Sequence, residues 1–204
     1  SVLDRFNKGA SAEQGEEAVG ILGRLGIGVT LGNIVFHPWM TESSVLADLD
    51  YLERLLQNHP GARFFGLNEL DIFSPTPLAT AFLSAEEPGW LCEWKSEDPL
   101  IQAVYESWCL IRASVLFPAM EILPPSTSHE TRRAYNFWQT SMLRHLVLGH
   151  RNMSREGLFS HAYASMCRFL LNHAGVDILE AFLTTRSAQA EGTEFIPRPE
   201  RCFT

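Results

Sequence analysis

Two short groups of residues carry side chains able to do chemistry. His37-Pro38-Trp39 sets a titratable imidazole beside a large aromatic ring, directly after an apolar run that reads as a strand. A histidine at the end of a parallel strand stands where α/β proteins bind ligands, so His37 and Trp39 are candidates for contact with a cofactor or substrate. The alternative is that His37 hydrogen-bonds the turn after it. Asn68, Glu69 and Asp71 interrupt a second run made otherwise of Phe and Leu. Buried polar groups need partners, so this run either lines a wet cavity or pairs with donors elsewhere in the fold. Strand alternation puts Asn68 on one face and Glu69 and Asp71 on the other, and both choices stay open.

The elements that position these groups follow from periodicity. Ile27–Phe36 is apolar, β-branched or Gly on both parities, the pattern of a strand covered on both faces. Thr41 is a good N-cap, and Val45, Leu49, Leu52 and Leu56 form one helical stripe that ends at Asn58-His59-Pro60-Gly61. Arg63–Phe73 reads as the next strand, stopped by Ser74-Pro75-Thr76-Pro77. Upstream, Ser1–Lys8 reads as a short helix or turn, and Ser11 with Gln14 opens a helix that Gly26 ends. Helix–strand–helix–strand order with short connections predicts a parallel sheet with Thr41–Asn58 as the crossover.

Beyond Pro77 the chain reads as a short helix over Leu78–Leu83 and an extended segment over Trp90–Lys95. Asp98 and Pro99 then open an apolar helix. Leu123-Pro124-Pro125-Ser126 divides residues 1–123 from a helical region at 124–204. Thr127 with Glu130 reads as a capping box, Ser154 as an N-cap and Gly175 as a break, followed by a helix over Val176–Thr185 and a tail from Gly192. Tyr135, Phe137, Trp138 and Trp108 read as core between helices.

Composition narrows the function classes. A net charge of −8 and a pI near 5.3 argue against a nucleic-acid groove or an anionic membrane surface. No apolar run reads as a membrane span and no signal-peptide pattern opens the chain, so a cytoplasmic protein is expected. The four cysteines, Cys92, Cys109, Cys167 and Cys202, form no CxxC and no C-x3-C-x2-C, and read as reduced. His145, His150, His161 and His173 lack metal-site spacing, and no metal site is expected. Arg144, Arg151 and Arg155 read as a solvated basic face. Phosphate-loop, nucleophile-elbow and dinucleotide-binding fingerprints do not occur.

Three segments carry a family likeness. Gly32-Asn33-Ile34-Val35-Phe36-His37-Pro38-Trp39-Met40-Thr41 and the helix after it resemble the fifth strand and helix of radical S-adenosylmethionine (SAM) enzymes, above all the branch that also binds cobalamin. Val2–Gly9 is similar to the segment after the fourth strand in that branch, and Leu67–Leu70 with Ser74–Pro77 is similar to the sixth strand and its exit. The resemblance covers residues 1–123.

It implies an α/β fold, the C-terminal part of a parallel (β/α) partial barrel followed by an α-helical C-terminal region. It also implies that Gly32, Ile34 and His37 meet the SAM adenine, although the branch carries an acidic residue where His37 stands. Trp39, Asn68, Glu69 and Asp71 would then line the substrate, a small molecule or peptide. The [4Fe–4S] cluster, and cobalamin if present, would belong to an N-terminal half or a companion subunit, since this chain has no cluster cysteines. The implied reaction is radical methylation or rearrangement. A non-catalytic half-barrel that binds a ligand or partner is the other expectation.

Overall fold

The computed structural model describes residues 11–64, 66–72 and 94–192, with side chains of the last helix described to residue 185. The readings at Ser1–Lys8, Ser74–Pro77, Leu78–Leu83, residues 90–93 and the tail beyond Gly192 lie outside the described residues, as do Cys92 and Cys202.

Helix α1, Ala12–Arg24, begins on the expected capping box: Ser11 Oγ accepts from Gln14 N, and the Gln14 carboxamide accepts from Ser11 N at 2.8 Å. Gly26 ends it with φ +71°, and Ile27 N donates back to Leu22 O at 2.9 Å. A residue with a Cβ disfavours that left-handed turn, which is why Gly stands there. Helix α2, Glu42–Asn58, is capped by Thr41 and buries Val45, Leu49, Leu52, Leu55 and Leu56.

The first strand differs from its expected form. The Ile27–Phe36 run is two strands, β1 (Val29–Leu31) and β2 (Ile34–Phe36), parted at Gly32-Asn33. Its partner run is likewise split into β3 (Ala62–Phe64) and β4 (Asn68–Glu69). β1 pairs with β3 and β2 with β4, both in parallel, with α2 lying between them in the chain. Gly adds no side chain to pack and weakens a strand interior, which accounts for the break at Gly32. Nor is the run covered on both faces: Thr30, Gly32 and Ile34 are exposed, whereas Val35 and Phe36 are buried.

Most of the described chain is helical. Helix α3 (Pro99–Ile111) starts at Asp98, whose carboxylate accepts from Leu100 N and Ile101 N. A π-turn, Arg112–Leu116, joins it to α4 (Phe117–Ile122). Pro118 explains the turn. It has no N–H, and its ring would clash with the carbonyl one α-turn back, so the helix widens before it.

The continuous run Pro99–Ile122 has the length and apolar composition of a membrane-crossing helix, which corrects the reading that no run does. Here its apolar side sits in the core, with Ile101, Val104, Trp108, Val115 and Ala119 all fully buried.

Helices α5 (His129–Gly149), α6 (Arg155–His173) and α7 (Val176–Gly192) complete the described chain. Ser128, not Thr127, caps α5 by accepting from Thr131 N, while Thr127 Oγ1 turns back to Pro124 O. Helix α7 runs to Gly192, longer than the expected stop at Thr185. Gly175, at φ +99°, makes the break before it.

One buried cluster spans both sides of Leu123–Ser126. It joins Leu49, Leu52 and Leu56 of α2 and Trp108 of α3 to Leu143, Leu146, Met166 and Leu170 of α5 and α6. Arg144 is no solvated residue: it donates to Asp50 at 2.7 Å and to Glu53 at 3.0 Å, tying α5 to α2.

Asn136 makes the other tie. Its carboxamide accepts from Phe64 N at 3.1 Å and donates to Phe64 O at 3.0 Å, satisfying both backbone groups on the edge of β3. Asn136→Ala is expected to cost about 3 kcal/mol, because each buried group left unsatisfied costs about 1–3 kcal/mol. Urea titration should show the midpoint falling at unchanged slope.

Asp48 tests the same packing by charge. Burial on α2 lifts its carboxyl from 3.8 to about 6. The folded state therefore holds this proton more tightly than the unfolded one. The resulting penalty is fully present above about pH 6 and is relieved as pH falls through 6 toward the unfolded value. Asp48→Asn should then stabilise the protein by about 1–2 kcal/mol at pH 8 and by much less at pH 4. Unfolding midpoints of the two proteins across that range measure the difference.

Candidate functional site

The two strands β2 and β4 end together, and the polar side chains gather there. Phe36 is in register with Glu69, and Leu70 N donates to Phe36 O at 2.8 Å. The segment before α3 folds over this end: Glu97 N donates to Pro38 O at 2.9 Å, and the Trp94 indole donates to Leu70 O at 2.7 Å.

Glu69 is the polar residue that turns into the protein. Its side chain is only 6% exposed and meets Arg112, 14% exposed, with Nη1 to Oε2 at 2.5 Å. Burial pushes the Glu69 carboxyl above its ordinary value, Arg112 pulls it back, and the nearby Asp71 adds a smaller upward push. Such a pair does little for net stability, since two charges leave water to form it, but breaking one side strands the other.

The ion pair lies against an aromatic wall. Tyr105 stacks on Trp94 with centroids 5.2 Å apart and tilts toward Phe36 at the same spacing. Burial is the main cause that drives the Tyr105 phenol well above its ordinary range, with the neighbouring Cys109 and Glu69 adding to it. The Arg112 guanidinium also sits over the Phe117 ring at 5.3 Å. Arg112 is the first residue of the π-turn, and π-bulges are often found at functional sites because they re-aim a side chain out of the helical register.

The other expected site residues fall into different surroundings. His37 is fully buried, not open at a rim, and its ring lies 6.1 Å from that of the half-buried Trp39. Asn68 is half-buried and Asp71 exposed, so the open choice of parity resolves with Glu69 alone drawn into the protein. Gly32 is exposed with nothing within 4 Å of where a Cβ would stand, and Ile34 is 37% exposed. Between them the Asn33 carboxamide is buried, with neither its oxygen nor its nitrogen hydrogen-bonded.

Arg112, Tyr105 and Trp94 are the site residues that sequence reasoning missed. Arg112 had a signal, as a cation in a strongly apolar helix shortly before a proline. Tyr105 had none, because an aromatic residue on an apolar helix reads as core, and Trp94 read only as part of an extended segment.

Among the described residues no group of three or more His, Cys, Asp or Glu side chains could hold a metal ion. His145 and His161 do meet, as rings stacked 4.1 Å apart between α5 and α6. Cys109 and Cys167 take part in no disulfide among the described residues. Comparison of the chain with family models, with curated proteins and with solved structures found no match.

The site supports a double-mutant test. Arg112→Met should destabilise by about 3–5 kcal/mol, since Glu69 is left buried without its cation. Arg112→Met with Glu69→Met should cost far less than the sum of the two single changes. Chemical unfolding of the four proteins gives the coupling energy directly.

Proposed function

We propose that this chain forms the C-terminal part of a parallel (β/α) barrel of the radical SAM type, most like the cobalamin-binding branch. In the complete enzyme it would finish the adenine pocket and the substrate wall for radical methylation or rearrangement. One observation carries this reading. Two successive strand runs pair in parallel across a single crossover helix, and the first of them leaves the face of Thr30, Gly32 and Ile34 exposed. A complete barrel would close that face.

The residues present fit part of the cofactor set. Gly32 and Ile34 offer an open backbone and an exposed apolar side chain, suited to the flat face of an adenine, and the unpaired Asn33 carboxamide lies between them. SAM bound there would bring the adenosyl group from which hydrogen abstraction starts. This chain's own part is to orient: Gly32 and Ile34 hold the base, and Glu69 with Arg112 fixes the polar end of the wall. The iron–sulfur cluster does not fit. Cys109 and Cys167 lie on different helices, and the sequence has no three-cysteine loop. Cluster and cobalamin would come from an N-terminal half or a companion subunit.

A second reading is a half-barrel that binds a ligand or partner without catalysis. It is favoured by the sheets themselves. Among the described residues each has two strands, and only at Phe64 of β3 does a side chain, that of Asn136, take the place of a further strand; edges without a strand neighbour invite association.

The deciding experiment joins the chain to the coding sequence upstream of it or in a neighbouring gene. A segment with C-x3-C-x2-C is expected there. The joined protein, reconstituted anaerobically, should cleave SAM to 5′-deoxyadenosine, and Ile34→Asp should weaken SAM binding at least tenfold. The 204-residue chain alone should take up no stoichiometric iron or sulfide. Absence of cleavage in the joined protein would overturn the enzymatic reading in favour of the second.

A further inference from the structure

A cavity of about 200 Å³ lies where the β1/β3 pair meets the loop between α4 and α5. Neither Glu69 nor Arg112 lines it, and it needs neither SAM nor a barrel to bind a ligand. Arg63 and Arg132 both line it, and no lining residue is acidic. In a chain of net charge −8 that is an unusual surrounding for two guanidinium groups.

Among the described residues their hydrogen bonds go to neutral acceptors. Arg63 donates through Nε to Thr30 Oγ1 at 2.9 Å, and Thr30, its register partner, keeps its own O–H to donate. Arg132 donates through Nε to Thr127 O at 3.3 Å and through Nη2 to Pro125 O at 3.0 Å. All these acceptors are neutral, and among the described residues neither arginine has a carboxylate partner. Among the described residues the terminal nitrogens of Arg63 and Nη1 of Arg132 have no acceptor and remain as donors.

The rest of the lining is apolar. Met120, Leu123 and the ring of Tyr135 form it, and the Tyr135 hydroxyl is turned away, near Leu116 O at 3.4 Å. Asn136 is occupied by its two bonds to Phe64.

The geometry points to a binding site for a small oxyanion carried on a short apolar body, an organic carboxylate or monophosphate. Two guanidinium groups with free N–H donors suit such an oxyanion, and a Thr hydroxyl adds a third direction. The apolar wall suits the body. The protein's overall negative charge does not oppose this at close range, because screening confines it to about 8 Å at physiological salt.

Amide NMR titration of the 204-residue chain at low ionic strength tests the site, with benzoate, phenyl phosphate and inorganic phosphate as probes. Saturable shifts confined to Thr30, Arg63, Met120 and their neighbours are expected with the two aromatic probes, weakening as salt is added. The preferred probe of the two assigns carboxylate or phosphate. Arg63→Gln should weaken binding at least tenfold, and Arg63 is exposed, so its loss should leave folding intact. Met120→Glu places a carboxylate in the cavity and should abolish binding. Arg155→Gln removes an equal charge elsewhere and should change nothing. Shifts that never saturate, or equal losses in Arg63→Gln and Arg155→Gln, would overturn the site. Inorganic phosphate binding as tightly as phenyl phosphate would overturn the role of the apolar wall.

Discussion

The grip of α5 on the strands and on α2 is the constraint on which the remaining structure depends. Strands of two or three residues cannot hold a sheet by their own ladders. Asn136 supplies the missing partners on β3 by bonding both backbone groups of Phe64. One turn earlier, Arg133 donates to Leu56 O through Nε at 3.1 Å and Nη2 at 2.6 Å, satisfying a carbonyl in the last turn of α2. Arg144, further along, reaches Asp50 and Glu53 on the same helix. Three polar residues on one helix therefore fix the crossover and its return strand, and the buried leucines between them supply the apolar energy.

The Glu69–Arg112 pair follows from that arrangement. With β4 held in register beside β2, Glu69 turns toward the end of α3. Arg112 reaches it because Pro118 forces the helix into a π-turn that begins at that residue. A buried charge pair of this kind is costly to desolvate and is better explained by a task than by stability. It sits at the C-terminal end of parallel strands against Trp94 and Tyr105, a place where α/β proteins put ligands. The Arg63–Arg132 cavity lies at the other strand pair, with two cations that have no carboxylate partner among the described residues. The two locations thus have different chemistry: one neutralised and buried, one open and positive.

Much of the local structure was legible in the sequence. Ser11, Thr41, Asp98 and Ser154 cap their helices, and Gly26 and Gly175 end or break them, because capping depends on neighbouring residues alone. The buried face of α2 obeys the heptad-like spacing of Val45, Leu49, Leu52 and Leu56. Parallel pairing of the two strand runs was legible too, since one crossover helix between two apolar runs leaves few alternatives. The single-residue error at Thr127 arose because Ser126, Thr127 and Ser128 are all competent caps, and only the turn at Pro124 decides among them.

What only the tertiary structure decided are the facts that depend on residues far apart in the chain. The break at Gly32-Asn33, the burial of His37 and the inward turn of Glu69 depend on which helices cover each strand face. Alternation alone offered Asn68 or Glu69 equally; Arg112 settles the choice, from 43 positions away. The Arg63–Arg132 cavity was invisible for the same reason: its two cations come from a strand and a helix that meet only when α5 docks. Local order is set by neighbours along the chain, and these residues announced it. Charge pairing and cavity shape are set by neighbours in space, which a linear pattern does not specify.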